Sequence, residues 1–331
     1  MVIERNETWG TLCYDVSTHQ FSAEVMRDVQ EEPYVSLPVV LNVYLTLRCN
    51  MLCEHCVAKD MERYLGSADG ADLRVTDNLI DDINESPFMV VVITGGEPLL
   101  PDLEPSLIGL LEGLENKGII VDTNGTVLPS RGLIDQLREK QAMLRVSWDS
   151  PSPNIECELR KYRSGMYSSD ESYMEHKEEL IRILLGEGLT VAAQTVLHGR
   201  NSTDRHLPKR LPRKMKELGV NSWYVQRYIP SYKKKNASRY LLGIDAYEKA
   251  LARIRRAATK LGIACHTKKD RRHNSVFLLA EDGQLFTQSD TRPGEKVCLG
   301  NIAHIENYFE FVSQSEHSVR YVEAARGPHS T

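Results

Sequence analysis

Residues 39–56 read VVLNVYLTLRCNMLCEHC, an apolar run that leads directly into three cysteines. The run Val39–Leu47 is rich in β-branched and aromatic residues, which predicts a buried strand. Cys49, Cys53 and Cys56 follow at spacings of four and three, so their sulfurs lie in one compact loop. Thiolates are the ligands that iron–sulfur clusters use. This stretch therefore predicts a strand that ends in a polynuclear metal site.

Strand and helix signals alternate from this run onward, which is typical of βα units on a parallel sheet. We predict an α/β fold, a partial (β/α)6 TIM-like barrel, although an open doubly wound sheet has the same local pattern. The predicted strands are Val39–Leu47, Met89–Thr94, Gly118–Asp122, Met143–Trp148, Leu189–Val196 and Ser222–Tyr228. The predicted helices between them are Asp77–Glu85, Glu104–Lys117, Arg131–Glu139, Glu171–Glu187 and Pro208–Leu218.

Three regions follow from this pattern. Residues 1–37 are polar, and we predict an irregular N-terminal extension there, with one short strand at Trp9–Asp15 that leads into a turn. Residues 38–230 form the predicted barrel. Residues 231–331 form a smaller α/β cap, with a helix around Asp245–Leu261 and two short strands, Asn274–Leu279 and Gln284–Thr287.

Composition excludes several classes of protein. The 331 residues are 41% hydrophobic and 26% charged, which is ordinary for a globular chain. A net charge of −5 carries no general attraction for nucleic acid. No apolar run is long enough to span a membrane, and the first thirty residues have no signal-peptide core. Seven cysteines, an odd number, argue against a disulfide framework, and we expect a cytoplasmic protein.

The cysteine loop supplies three sulfurs, whereas a [4Fe–4S] cube has four irons. One iron would therefore accept an outside ligand, as in catalytic metal centres. The alternative is a structural zinc site completed by a fourth ligand. His55 lies too close in sequence to bind zinc easily alongside both flanking cysteines, but the local pattern leaves zinc open.

The C-x3-C-x2-C loop after the first predicted strand resembles the signature of the radical S-adenosylmethionine (SAM) superfamily. The resemblance implies one [4Fe–4S] cluster on Cys49, Cys53 and Cys56, with SAM on the open iron. It also implies reductive SAM cleavage to a 5′-deoxyadenosyl radical that abstracts hydrogen from a substrate. An external one-electron reductant of the flavodoxin or ferredoxin type is implied as a partner. His55 holds the position of a residue that meets the adenine.

Two further segments carry the same resemblance. Gly95, Gly96 and Glu97 precede Pro98 and resemble the GGEP segment that binds the SAM amino group. Glycines let a ligand approach the backbone, and a carboxylate accepts from an ammonium group. An ordinary strand-to-helix turn is the alternative. Asn124 lies in a Thr-Asn-Gly turn that in the family lines the pocket.

Three later positions complete the predicted SAM pocket. Ser147 and Asp149 resemble the family's S-x-D element at the ribose, although Asp149 also suits a turn cap. Residues 160–165 resemble the stretch whose arginine reaches the SAM carboxylate. Which arginine aligns is left open between Arg160 and Arg163; Arg163 is favoured because Ser164 and Gly165 follow it, and a solvated surface arginine is the alternative. Gln194 stands where the family often has asparagine. Trp148, between Ser147 and Asp149, is expected to pack in the core rather than stack on substrate.

The C-terminal region resembles a degenerate SPASM or twitch extension, because Phe286 and Thr287 stand where a cysteine is usual. Only Cys265 and Cys298 remain there, so we predict a single cluster. Both are expected to be buried small residues, and both are candidate hydrogen donors to a substrate radical.

The extension favours a peptide or protein substrate, modified by epimerisation, cross-linking or a related reaction. The alternatives are a small molecule such as a nucleotide or sugar, as in viperin-like or antibiotic-pathway members, and a non-catalytic metal-binding scaffold.

Overall fold

A parallel sheet with helices packed on one face makes up most of the computed structural model. The structure describes residues 1–7, 10–26, 39–53, 55–56, 58, 72–204, 206–228, 237–267, 277–280, 283–288 and 296–305. None of the helices in these ranges is long and apolar enough to cross a bilayer.

Seven strands run parallel and follow one another in chain order across the sheet. The first six confirm the six predicted strands to within one residue at each end, and the seventh was not predicted. Their bounds are β4 Val40–Thr46, β5 Val90–Gly95, β6 Gly118–Thr123, β7 Met143–Ser147, β8 Thr190–Leu197, β9 Ser222–Arg227 and β10 Ala264–Thr267.

Seven α-helices connect these strands in the described ranges. They are α1 Asp77–Glu85, α2 Glu104–Gly113, α3 Arg131–Glu139, α4 Pro153–Leu159, α5 Asp170–Gly186, α6 Leu207–Leu218 and α7 Ile244–Lys260. The prediction that α2 continues to Lys117 is wrong, because Leu114 already has an extended backbone and the chain turns there into β6. The sequence analysis also missed α4, a short helix that begins at a proline.

Three strands of the C-terminal region join the same sheet. Phe277–Leu279 (β11) lies parallel to β4, on the side away from β5. Gln284–Gln288 (β12) and Lys296–Asn301 (β13) then continue the sheet in antiparallel order. The expected short strands are therefore confirmed in their described parts, and they extend the barrel sheet. The division into three regions stays a prediction.

The two faces of the sheet have different partners. Alternate residues such as Val91, Val121 and Val146 share one core with helix residues such as Leu107 and Leu110. The intervening residues, for example Val92 and Ile120, point to the opposite face and belong to a separate core cluster. We call that second face the inner face, and the open sheet curving around it is the partial barrel.

The prediction that residues 1–37 are irregular is wrong for the part described, whereas the short strand expected at Trp9–Asp15 is confirmed from Gly10 onward. Val2–Glu7 (β1), Gly10–Asp15 (β2) and Gln20–Val25 (β3) form an antiparallel sheet. This small sheet packs apolar β2 residues, Tyr14 among them, against the inner face. Most of its exposed side chains are polar, apart from Val2 and Val25, which is why composition alone suggested irregular structure.

Candidate active site

The cysteine loop begins where β4 ends and is held by segments far away in sequence. Arg48, just before Cys49, forms an ion pair with Asp72 at 2.7 Å. Further along, the Leu52 amide donates to the Lys161 carbonyl at 2.6 Å. The loop is thereby fixed to the strand end on one side and to the segment after α4 on the other.

The three thiols share one small region. Cys53 is buried, whereas Cys49 and Cys56 are partly exposed. Burial raises the pKa of Cys49 to about 11 and that of Cys53 to about 12, and the neighbouring thiols add to both shifts. A metal centre reverses this effect, because coordination deprotonates a thiol. Three soft donors from one loop fit an iron–sulfur cluster.

The described residues hold no group of three or more His, Cys, Asp or Glu side chains drawn together as ligands of a single metal ion. Thiolates that bind a [4Fe–4S] cube lie farther apart than thiolates that bind one metal ion, so a cluster site need not have such a group.

The two glycines after β5 pack against the chain that leads into the cysteine loop. The Gly96 amide donates to the Thr46 carbonyl at 2.7 Å, and the Glu97 amide donates to the Arg48 carbonyl at 2.9 Å. A Cβ atom on Gly96 would overlap the Arg48 carbonyl oxygen, and one on Gly95 would overlap that of Thr46. These glycines were expected to let a ligand come close to the backbone. In the structure they instead let two segments of the protein's own backbone pack closely together.

Glu97 is a fully buried carboxylate. Its Oε1 atom accepts from the Leu99 amide (3.1 Å) and the Thr123 hydroxyl (2.8 Å), and its Oε2 atom accepts from the Asn124 amide (2.7 Å). No ion pair involves it within the described ranges. Burial raises its pKa to about 7 despite these hydrogen bonds. A buried carboxylate without a cationic neighbour suits a cationic ligand such as the SAM ammonium group.

Asn124 connects the end of β6 to the cysteine loop. Its Nδ2 atom lies 3.6 Å from the Cys49 sulfur and 2.8 Å from the Asn50 Oδ1 atom. The resemblance placed Asn124 at the pocket, but sequence reasoning did not single out Asn50.

Asp149 is completely buried and faces the cysteine loop. Its Oδ2 atom lies 3.1 Å from His55 Nε2 and 2.9 Å from Arg160 Nε, and its Oδ1 atom accepts from the Val196 amide at 2.8 Å. Burial alone would raise its pKa, but the Arg160 guanidinium and His55 hold the pKa below the usual range. The predicted ribose residue and the predicted adenine residue therefore contact each other.

Trp148 and Gln194 are fixed by the sheet. Trp148 is fully buried, with its indole N–H donating to the Ser150 carbonyl at 2.9 Å, so the packing interpretation is confirmed. Gln194 pairs with Ser147 in the β7–β8 register, and its carbonyl accepts from the Trp148 amide at 2.8 Å. Both Ser147 and Gln194 are nearly buried.

A buried ion pair that the sequence analysis missed supports the segment 147–150. Glu156 Oε2 accepts from the amides of Asp149 (2.8 Å) and Ser150 (2.7 Å). Its Oε1 atom accepts from Lys177 Nζ at 2.6 Å, and the same Nζ donates to the Ser147 carbonyl at 3.1 Å. Both side chains are fully buried. No sequence signal marks them, because charged helix residues are normally exposed.

His198 is another residue that sequence reasoning missed. It immediately follows β8, and its ring centroid lies 5.3 Å from that of His55. Burial lowers its pKa to about 4, so it is neutral. Its place at a strand end, where parallel barrels collect functional residues, was the signal available.

The remaining predicted residues are Arg163, Cys265 and Cys298, and within the described ranges only Arg163 contacts the cysteine loop. Arg163 is exposed and donates from Nη2 to the Cys49 carbonyl at 3.2 Å, so it lies beside the loop. Cys265 pairs with Trp223 in the β9–β10 register and packs on the helix-covered face. Cys298 is exposed on β13, so the expectation that it is buried is wrong. Cys265 on β10 and Cys298 on β13 thus lie on the two edge strands of the sheet, with β4 and the cysteine loop between them in strand order.

Comparison with known proteins agrees with this geometry. The sequence profile of the Radical SAM superfamily matches residues 43–209, about half of the chain. The crystal structure of Streptococcus suis SuiB bound to the precursor peptide SuiA is 12% identical, with a TM-score of 0.62, covering 86% of this chain and 81% of that one. The structure of anSMEcpe with bound AdoMet is 18% identical, with a TM-score of 0.62, covering 85% and 82%.

A curated relative is similar over a shorter region. The 7-carboxy-7-deazaguanine synthase of Hyperthermus butylicus is 35% identical over 118 residues, which is 34% of this chain and 46% of the relative. The match thus spans less than half of that relative's length.

Members of the matched family are enzymes that use a [4Fe–4S] cluster and SAM together with an external reductant, and the structural neighbours confirm the predicted fold. The extent of the family match and the arrangement of the strand ends lead to one conclusion. This chain belongs to the Radical SAM superfamily.

Proposed function

We propose that Cys49, Cys53 and Cys56 hold the cluster, and that Glu97 and Arg163 bind the amino and carboxylate groups of SAM. The observation that carries this assignment is the environment of Glu97. It is a buried carboxylate without an ion-pair partner in the described ranges, on a segment hydrogen-bonded to the strand that leads into the cysteine loop. A cation bound beside it would offset the penalty of burying its charge.

The chain's own residues position these groups. Gly95 and Gly96 allow the Glu97 segment to pack against the start of the cysteine loop. When bound, the cluster and SAM together supply reductive carbon–sulfur cleavage and hydrogen abstraction. The β1–β3 sheet packs against the inner face near the beginnings of the strands, so the strand ends that carry the proposed site remain available to SAM and substrate.

The proposed pocket also includes the other residues of the sequence prediction. Asn124, Ser147 and Gln194 stand at neighbouring strand ends. His55 and Asp149 contribute by fixing the loop, because each is buried against the other.

The substrate that we propose is a peptide or protein. The likeness to SuiB and anSMEcpe extends well beyond residues 43–209, and those proteins have been crystallised with a precursor peptide and with the Cp18Cys peptide. The C-terminal strands continue the sheet beside β4, next to the proposed cluster site. A peptide substrate would contact the inner face and these C-terminal strands.

A small heterocyclic molecule is the second candidate. It is favoured by the 35% identity to 7-carboxy-7-deazaguanine synthase. This identity is higher than the 12% and 18% to SuiB and anSMEcpe, although it covers a shorter region of the chain.

The first test is anaerobic reconstitution with iron and sulfide, followed by reduction with dithionite in the presence of SAM. We expect about four irons per chain and formation of 5′-deoxyadenosine. The matched control is Cys157→Ala, which removes a buried cysteine of helix α4, outside the loop, and should leave iron content unchanged. A folded chain that binds one zinc and forms no deoxyadenosine would contradict the proposal.

The substrate class is tested separately with host-cell extract. We expect extract to stimulate deoxyadenosine formation and protease treatment of the extract to abolish that stimulation. Stimulation that survives protease and passes a filter retaining peptides would favour the small-molecule candidate instead.

A further inference from the structure

Cys49 differs from an isolated thiol because two N–H groups point at its sulfur. The Met51 amide lies 3.3 Å from Sγ, and the Asn124 side-chain amide lies 3.6 Å from it. Sulfur is larger than oxygen, so both separations are hydrogen-bonding distances. Met51 donates from the loop itself, whereas Asn124 reaches across from the end of β6.

The orientation of the Asn124 amide follows from its partners. Its Oδ1 atom accepts from the Thr126 backbone N–H at 3.0 Å and from the Thr126 hydroxyl at 2.5 Å. A backbone N–H can only donate, so the oxygen must face Thr126 and the NH₂ group must face Cys49. The second amide hydrogen is directed to Asn50 Oδ1 at 2.8 Å.

Asn50 completes a closed set of hydrogen bonds. Its own NH₂ group donates to the Thr126 hydroxyl at 2.8 Å, and its Oδ1 atom receives the Asn124 donor. Asn124 and Thr126 are both buried, so competition from water is small. The donor facing Cys49 is therefore held in place by three contacts that do not involve the sulfur.

We propose that Asn124 tunes the reduction potential of the cluster by donating an N–H···S hydrogen bond to the Cys49 thiolate, with Asn50 as its positioning residue. Reduction adds one negative charge to the cluster and its thiolates. A fixed donor stabilises that charge, so the reduced form is favoured and the potential rises. This inference rests on the proposed assignment of Cys49 as a cluster ligand.

The test is an EPR-monitored redox titration of the reconstituted protein. At the potential where the wild-type cluster is half reduced, Asn124→Ala should lower the ratio of reduced to oxidised cluster roughly three- to tenfold. A tenfold change corresponds to 59 mV for one electron. Asn50→Ala should give a smaller fall in the same direction, because the donor remains but is less constrained.

Asn84→Ala is the matched control. It removes an asparagine of helix α1 whose side chain bonds the Gly113 carbonyl and the Glu115 amide, outside the hydrogen-bonded set at Cys49, so the potential should stay close to wild type. An unchanged ratio in Asn124→Ala, at wild-type iron content, would overturn the proposal. Iron content measured on each variant separates this result from failure of the cluster assignment, in which the wild type itself would hold no cluster.

If Asn124→Ala fails to fold, the hydrogen bond to Cys49 can be tested on the wild-type protein. Protein labelled with ¹⁵N-asparagine, reduced and studied by pulsed EPR, should show a nitrogen coupling from a side-chain amide. Absence of this coupling in a reduced, iron-replete sample would overturn the proposal.

Discussion

Replacement of Asp149 by alanine should destabilise the protein strongly, because it removes the anionic partner of two buried side chains. The carboxylate is fully buried and contacts Arg160 at 2.9 Å, His55 at 3.1 Å and the Val196 amide at 2.8 Å. Breaking a buried ion pair from one side costs about 3–5 kcal/mol, since the remaining charge stays in the interior. We expect the free energy of unfolding to fall by that amount.

Two substitutions calibrate this value. Asp149→Asn keeps an acceptor for the Val196 amide and nearly the same volume, so it should lose less than the alanine variant. Asp135→Ala removes an aspartate that pairs with Arg131 and Arg138 on the exposed face of α3, where all three side chains are well exposed. That exposed pairing should change the free energy of unfolding by less than about 1 kcal/mol.

The assay is urea denaturation of the metal-free protein, followed by circular dichroism under anaerobic conditions. The midpoint should shift while the denaturant slope stays constant. Because the pKa of Asp149 is lowered in the folded state, its contribution is present at neutral pH and disappears on acidification. An Asp149→Ala variant as stable as Asp135→Ala would refute the view that this carboxylate holds the cysteine loop.

Three further predictions follow from the site. Cys53→Ala should abolish cluster assembly while circular dichroism stays at wild type, and full iron content in this variant would contradict the ligand assignment. SAM should bind reconstituted protein most tightly above pH 7, because only ionised Glu97 attracts an ammonium group. Below pH 7 the affinity for SAM should fall about tenfold per pH unit. In a calorimetric titration, Glu97→Gln should remove this pH dependence. Lys177→Met should lower the free energy of unfolding by less than the cost of about 3–5 kcal/mol for a fully unpaired buried charge, because Glu156 keeps the 3.8 Å contact with Arg160. The double variant with Glu156→Gln should recover part of that loss in the same urea assay.

The strands and helices of the barrel were predictable because buried parallel strands appear as apolar runs. β5, for example, reads Val-Val-Val-Ile-Thr-Gly and has little contact with solvent. The positions of the cysteine loop, of Glu97 and of Asn124 were also predictable, since each directly follows a strand and parallel strands end at the same edge. Local sequence is sufficient for both results.

The β1–β3 sheet and helix α4 were not predictable in this way. Only β2 was expected as a strand. β1 and β3 consist mainly of exposed or partly buried residues and contain no apolar run, and the buried side of the sheet is formed by Tyr14 and its neighbours on β2. α4 is a short helix that buries Glu156. In each case tertiary packing, rather than local preference, determines the structure.

The roles of the charged residues were the least predictable part of the site. Sequence resemblance covered both Arg160 and Arg163 and favoured Arg163, which lies beside the cysteine loop, whereas Arg160 pairs with Asp149. Nothing in the local sequence separates a buried arginine from an exposed one. The choice depends on which carboxylate the fold places opposite each side chain.

Glu97 and Asp149 show how burial and charge separate a binding residue from a positioning one. Both are completely buried carboxylates that lie near the cysteine loop. Arg160 and His55 compensate Asp149, so its pKa is lowered and a further cation would gain little there. Glu97 has hydrogen-bond donors but no ion pair in the described ranges, and its pKa is raised to about 7. The folded protein therefore carries the penalty of an uncompensated carboxylate at one strand end, and binding of the SAM ammonium group would relieve it.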